Sequence, residues 1–454
     1  MLRNLGIMKI VISGAYAIGT HLAKLLSRNN QDTVLIDDDE ERLLNVSSDY
    51  DLLTINDDPS SISTMEEAGV KNADLYIAVT PDQSLNLNTC IMAKAMGAKR
   101  TVAKVDNYEY IDPKLDGFFE RIGITSLIYP ENLAAKEIAN GLKMSWVRQR
   151  WDVHDGALVM LGIKLRETCE ILNEPLKDLC KPESPYHIVA IKRGDETIIP
   201  RGDDELKIYD LAYFMTTRNY IPYIRKIVGK EHYVDVKNVM MMGGGETAVR
   251  AVAMMPEYMD CKILEMDEQR CQKLNDLVDT DRVMVINGDG RDMQLLMEEG
   301  VKNTQAFVAL TGNAETNILA CLTAKRMGVR KTVAMVENMD YVAMAESLDI
   351  GTIVNKKAMA ASAIYQMMLD EDVHNIRFLM TANADVAEFT AQQGSKVTKK
   401  KVFELGLPQG ATIGGLVRHG QGQLVSGGTQ IEAGDIVVVF CHDLSMEKIE
   451  KFFK

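Results

Sequence analysis

What this chain lacks narrows its function before any motif is read. No apolar run approaches the roughly 18 residues needed to span a bilayer, so no segment is expected to cross a membrane. The opening MLRNLGIMKI has neither the apolar core nor the cleavage site of a secretory signal, and residues 1–7 read as a dispensable leader or an alternative start ahead of Met8. Basic residues are in deficit: 51 Lys and Arg stand against 65 Asp and Glu, for a net charge of −14. A surface of that sign repels a phosphate backbone, so no nucleic-acid partner is expected. The seven cysteines, at 90, 169, 180, 261, 271, 321 and 441, contain no CxxC pair and no Cys/His set with zinc spacing. They read as reduced, buried thiols, and no metal site is expected. Hydride transfer needs a general acid/base beside the nicotinamide, and the seven histidines, at 21, 154, 187, 232, 374, 419 and 442, show no such constellation. Methionine is abundant at 27 residues and, without clustered ligands, reads as core filling rather than copper or haem chemistry.

What is present is a chain that repeats itself. TVAKVDNYEY at 101–110 returns as TVAMVENMDY at 332–341, an offset of 231. At the same offset Ala78, Val79, Thr80, Asn86 and Cys90 meet Ala309, Leu310, Thr311, Asn317 and Cys321. Such self-similarity marks tandem copies of one unit. In the first copy, apolar runs at 9–13, 33–36, 52–55, 75–79 and 101–105 read as strands, alternating with helical stretches such as 86–96. That alternation predicts a doubly wound parallel sheet, and the second copy runs the same course from Val239 through Val336.

Each copy then changes character. An amphipathic helix carries Leu133, Ile138, Leu142 and Trp146, and its counterpart carries Met359, Ile364, Met367 and Met368. Such helices serve either the core of their own domain or a contact between subunits. A smaller β-rich module follows each, and Tyr209-Asp210 in one parallels Gly434-Asp435 in the other at an offset of 225. The expected fold class is α/β: two Rossmann-like doubly wound parallel sheets, each followed by a small α+β C-terminal subdomain. The expected boundaries are 8–130, a crossover helix at 131–150, 151–226, a polar linker at 227–235, 236–355, a second crossover helix at 356–374, and 375–454.

A G-x-G-x-x-G turn between strand and helix binds pyrophosphate for physical reasons. The first glycine allows the tight turn, the second lets phosphate reach the backbone, and the third lets helix and strand close up. The helix N-terminus then offers free N–H groups to the anion. Gly243, Gly245 and Ala248 fill the three positions in the second copy, and Glu265 stands 22 residues after Gly243. An acid there holds the ribose hydroxyls and favours NAD or an adenine nucleotide over a 2′-phosphate. The first copy keeps Gly14, Gly19 and the acid Asp37, but Tyr16 occupies the second glycine position. Asn287-Gly288-Asp289-Gly290 becomes Asn56-Asp57-Asp58-Pro59, which removes backbone freedom. The first site is therefore either empty or one in which Tyr16 swings aside to stack on a base. Val79-Thr80 and Leu310-Thr311, at strand ends, either face the ligand or cap the next helix. Lys104 is either a phosphate partner or a solvent-facing lysine, and its counterpart is Met335.

Taken together these residues resemble the TrkA family of potassium-uptake regulatory subunits, whose paired units are called RCK or KTN domains. The likeness covers residues 8–454 and is carried by the runs Leu35-Ile-Asp-Asp-Asp-Glu-Glu-Arg42 and Leu264-Glu-Met-Asp-Glu-Gln-Arg270. The Ala78-Val-Thr80 … Asn86 and Ile198-Ile-Pro … Asp210 patterns add to it. The resemblance implies a non-enzymatic cytoplasmic protein, peripheral on the inner face of the membrane through a Trk-type potassium transporter subunit. It implies a homo-oligomer, a dimer or a tetrameric ring, reshaped by NAD(H) or by ATP/ADP. Carried over by position, the ligand contacts are Gly14, Ala15, Tyr16, Ala17, Ile18, Asp37, Val79, Thr80 and Lys104 in the first copy. In the second they are Gly243, Gly244, Gly245, Glu246, Thr247, Glu265, Leu310 and Thr311. Ser84 departs from the acid the family carries, which Glu315 keeps. The competing readings are an NAD-dependent dehydrogenase and a scaffold that binds no nucleotide.

Overall fold

The computed structural model describes residues 7–28, 31–47, 52–368, 373–379, 384–442 and 446–454, so the 1–7 leader lies almost wholly outside it. The first copy forms a six-stranded sheet from β1 (Lys9–Ser13), β2 (Asp32–Asp37), β3 (Leu53–Asn56), β4 (Leu75–Ala78), β5 (Arg100–Lys104) and β6 (Ser126–Ile128). Its order is β3-β2-β1-β4-β5-β6, and every pairing is parallel. The central strands β1 and β4 are near-continuous apolar runs because helices cover both faces of a parallel sheet. The order reverses direction between β1 and β4, which opens a crevice at their C-terminal ends.

After β7 (Gln149–Val153), β8 (Leu158–Lys164), β9 (Tyr186–Arg193), β10 (Glu196–Ile198) and β11 (Leu211–Thr216), the second copy repeats the sheet. It comprises β12 (Asn238–Met242), β13 (Asp260–Glu265), β14 (Val283–Asn287), β15 (Ala306–Ala309), β16 (Lys331–Met335) and β17 (Thr352–Val354), ordered β14-β13-β12-β15-β16-β17. The periodicity missed the edge strands β6 and β17, which are only three residues long.

β7 to β11 form an antiparallel sheet ordered β10-β9-β11-β8-β7. A matching sheet, β18-β19-β22-β20-β21, is built from β18 (Val373–Leu379), β19 (Ala384–Thr390), β20 (Ala411–Arg418), β21 (Gln421–Leu424) and β22 (Ile436–Cys441). The two modules share one core, in which Met160, Val189 and Tyr213 pack with Val386, Val438 and Phe440. Both carry the same buried brace: Asp210 accepts from the Arg193 guanidinium at 2.7 and 2.9 Å, and Asp435 accepts from Arg418 at the same two distances.

The chain forms two compact bodies whose membership does not follow the repeat. The first body combines the first parallel sheet and its helices, to residue 133, with the helix at 356–366 from the second copy. The small residues Ala358, Ala360 and Ala361 and the larger Ile364 are buried, and this helix lies against the one at Ala17–Arg28. Lys356 reaches Glu131 at 3.1 Å in the same body. Residues 134–142, which end the first crossover helix, belong instead to the second body, where a Cβ on Gly141 would lie 3.9 Å from the Lys331 amine. The second crossover helix thus adds buried surface to the first copy's Rossmann body, a placement that its periodicity alone did not reveal. The 227–235 linker is also packed rather than loose: Lys230 is buried and the Ser145 hydroxyl donates to Val234 O.

All seven cysteines are free and six are buried. Among the described residues no helix is long and apolar enough to cross a membrane, and no His/Cys/Asp/Glu group could hold a metal. The methionines divide: Met240 to Met242 fill the core of β12, but Met266, Met284 and Met293 are among several exposed in the second copy.

Candidate functional site

Both glycine turns form where β1 and β12 meet their helices. Gly14 and Gly243 hold φ of 106° and 99°, a region open to glycine and strained for other residues, so the first position of each motif is fixed by the backbone. The third position is fixed by packing, since a Cβ on Gly19 would lie 1.9 Å from Gly14 O. The second position separates the copies. Gly245 has ordinary angles (φ −69°, ψ 178°), and a Cβ placed there would meet nothing within 4 Å. The space above it is part of a cavity of about 610 Å³ lined by the glycine turn, Glu265, Arg291 and Thr311, a volume suited to a cofactor.

In the first copy the same space holds a side chain and its cation. The Arg42 guanidinium carbon sits 4.2 Å from the centre of the Tyr16 ring. Arg42 also donates from Nε to Asp37 Oδ1 at 3.0 Å. Asp37 is 3% exposed, and its other oxygen accepts from Ala15 N at 2.6 Å. With Asp39 N also donating to Oδ1 at 3.0 Å, Asp37 carries two backbone bonds and, in addition, the guanidinium of Arg42.

Glu265 stands differently. Its oxygens accept from Gly244 N at 2.8 Å and Asp267 N at 2.9 Å, and it makes no ion pair among the described residues. The arginine that matches Arg42, five positions after the acid, is Arg270. It turns away to Gly244 O and Glu246, each at 2.9 Å. A carboxylate with spare lone pairs beside an open glycine turn can accept two ribose hydroxyls. One already occupied by a guanidinium cannot do so without losing it.

The other residues named from sequence fall around these turns with mixed parts. Ala15, Ala17, Ile18 and Gly19 continue the first turn into its helix, as Gly244, Glu246, Thr247 and Ala248 do in the second. Val79 and Leu310 are buried at the ends of β4 and β15. Thr80 and Thr311 neither cap a helix with their hydroxyls nor leave them free. Each donates to a buried asparagine, Thr80 to Asn86 Oδ1 and Thr311 to Asn317 Oδ1, both at 2.7 Å. Those asparagines return bonds to Thr80 O and Thr311 O and reach across to Lys104 O and Met335 O. The Asn–Thr pair is thus a staple tying the fourth strand to the fifth in both copies. Lys104 points its amine to Asp106, and Met335 is buried.

The glycines at 288 and 290 call for a different explanation from backbone freedom. Neither has positive φ; a Cβ on them would strike the Leu295 and Met242 side chains. Asp57 N still donates to Asp37 O as Gly288 N does to Glu265 O, so this loop keeps its backbone bond in both copies. Sequence reasoning placed Arg42 and Arg270 at the ends of the runs that carry the resemblance, but gave them, like Arg291, no part in the site. A signal was present for the first two, in the arginine that recurs five positions after each acid.

The TrkA-N domain family matches residues 10–130 and 239–356, and the TrkA-C domain family matches 386–454. The chain is 29% identical over 458 residues to the Trk system potassium uptake protein TrkA of Haemophilus influenzae, covering 98% of this chain and 99% of that protein. It is 27% identical over 456 residues to TrkA homolog 1 of Methanosarcina mazei, covering 98% and 100%. Among solved structures, the GsuK RCK domain superposes with a TM-score of 0.61 at 14% identity, covering 100% of this chain and 96% of that one. The GsuK channel bound to NAD gives 0.60 at 14%, covering 99% and 79%. At these identities the likeness to the solved structures is one of fold.

Proposed function

Because this chain belongs to the TrkA family of potassium-uptake proteins, whose members are regulatory RCK proteins and not enzymes, we propose that it reads nucleotide chiefly in its second Rossmann domain. The observation that carries this reading is the open turn at Gly243 to Gly245 beside an uncommitted Glu265, set against a first turn filled by Tyr16 and Arg42. NAD(H) is the favoured ligand, with ATP or ADP as further candidates, because the acid accepts ribose hydroxyls and repels a 2′-phosphate. The NAD in the similar GsuK channel supports the choice. The pyrophosphate would lie over Gly244 and Gly245 at the N-terminus of the helix at Glu246–Met254, with Arg291 on the cavity wall beside it.

The protein would act by binding alone. Ligand that favours one shape of the second domain shifts the protein toward it, and a membrane potassium transporter subunit reads the shift. In this reading the protein is a homo-oligomer, a dimer or a tetrameric ring, on the cytoplasmic face of the membrane. Calorimetric titration of NAD, NADH, ATP and ADP tests the nucleotide half directly. Glu265→Gln should weaken binding about tenfold, since a charge-assisted pair becomes a neutral one, whereas Asp37→Asn should leave affinity unchanged. Equal losses from the two substitutions would reject the assignment to the second domain.

A further inference from the structure

A second cavity, of about 470 Å³, lies within the second body between the first β-rich module and the second Rossmann domain. Its chemistry is opposite to that of the chain as a whole. Asp349 sits at its centre and is held by three cations: Arg148 at 2.5 Å, Lys325 at 3.1 Å and Arg166. Burial works the other way, yet Arg148, Lys325 and Arg166 hold the Asp349 carboxyl down to about 2. A fourth cation, Lys164 at the end of β8, faces the same group but makes no hydrogen bond or ion pair among the described residues. Burial pushes its ammonium below the ordinary value; Asp349 and Glu346 counter this, while Arg148 and Arg166 add to it. Lys192, also on the wall, is engaged with Asp195 O at 2.7 Å, and Glu346 and Asp195 are the other acids on the wall. Five cations, Arg148, Lys164, Arg166, Lys192 and Lys325, thus stand among three carboxylates, Asp349, Glu346 and Asp195, in a molecule whose net charge is −14. A purely structural brace around Asp349 would have no use for the fourth.

At the rim Tyr209 is 54% exposed and holds φ of 68°, a conformation costly for an aromatic residue. Its ring lies 5.4 Å from the Arg166 guanidinium carbon. The cavity therefore offers a free ammonium, two guanidiniums with N–H groups to spare and an exposed ring.

We propose that this cavity is a second ligand site, separate from the glycine turns, that takes a small phosphate-bearing anion on Lys164, Arg148 and Arg166. Guanidinium forks match phosphate oxygens and an ammonium adds a point charge, so a dianionic phosphate supplies the charge that the cluster lacks. The phosphate is either free or part of a nucleotide, in which case Tyr209 stacks on the base.

The test is calorimetric titration of inorganic pyrophosphate and of AMP into the full chain carrying Gly245→Tyr, which fills the glycine turn. One binding event should remain. Adding Lys164→Gln should weaken it about tenfold or more, and Lys164→Arg should keep it. Lys164 makes no hydrogen bond or ion pair among the described residues, and the repulsion from Arg148 and Arg166 offsets the attraction of Asp349 and Glu346, so Lys164→Gln should melt within a few degrees of its parent. AMP binding tighter than pyrophosphate, with the difference lost in Tyr209→Ala, assigns a nucleotide; equal affinity assigns the phosphate alone. Unchanged affinity in Lys164→Gln, or no binding heat from either probe, overturns the proposal.

Discussion

The two glycine turns share a backbone and differ in what lies above it. Gly14 and Gly243 bend the chain alike, and Asn86 and Asn317 staple the same pair of strands by the same bonds. Over the first turn, Tyr16 and Arg42 take the room a ligand needs, and Asp37 is committed to Arg42. Over the second, the space is empty of side chain and Glu265 keeps spare acceptors. The difference shows that a duplicated domain can keep its framework while the side chains over its glycine turn change, because the two depend on separate residues. Framework residues are buried and bond one another; ligand residues face the crevice, where a substitution costs the fold little.

The largest effect that tests this contrast should come from making the second turn resemble the first. Gly245→Tyr places a side chain where a Cβ meets no protein atom, so the fold should hold while nucleotide affinity drops about a hundredfold, or about 2.7 kcal/mol. Calorimetry with a thermal melt separates the two, and a loss of folding in place of affinity would break the argument. Next in size is the framework. Asn86→Ala and Asn317→Ala each strand buried donors and acceptors, so each should cost about 3 kcal/mol of stability, read by urea titration of each variant. The two losses should match; a mismatch would mean the copies differ in scaffold as well as in site. The smallest effect is expected from Tyr16→Gly. It clears the ring but leaves Arg42 on Asp37, so nucleotide should enter the first turn only weakly, as a second isotherm at least about tenfold weaker than the first. A second site as tight as the first would show that Tyr16 alone is the block.

Much of this was legible in the sequence because parallel sheets write themselves plainly. β1 and β2 are apolar on both faces, so their runs stand out, and each has a twin in the second copy, β12 and β13, at offsets of 229 and 228 residues. The acids and first glycines were legible for the same reason, since motif spacing is set along one strand–turn–helix. The partners that decide their chemistry were less so. Whether Arg42 turns to Tyr16 or, like Arg270, to a backbone carbonyl depends on the shape of the space above the turn. The threonine hydroxyls looked available until Asn86 and Asn317 were seen in place, six residues on and one helical turn into the next element. The crossover helices showed the right amphipathic period, but a period names a buried face without naming what buries it.

That last feature reaches beyond the sites. A helix encoded after the second Rossmann domain completes the body of the first, so residues 1–226 made alone would leave the apolar side of the Ala17–Arg28 helix bare. A piece beginning at 227 would likewise lack residues 134–142. Each half therefore depends for part of its buried surface on residues encoded in the other. The tandem arrangement is thus part of the fold itself: the first Rossmann body is closed by a helix that lies more than 200 residues further along the chain.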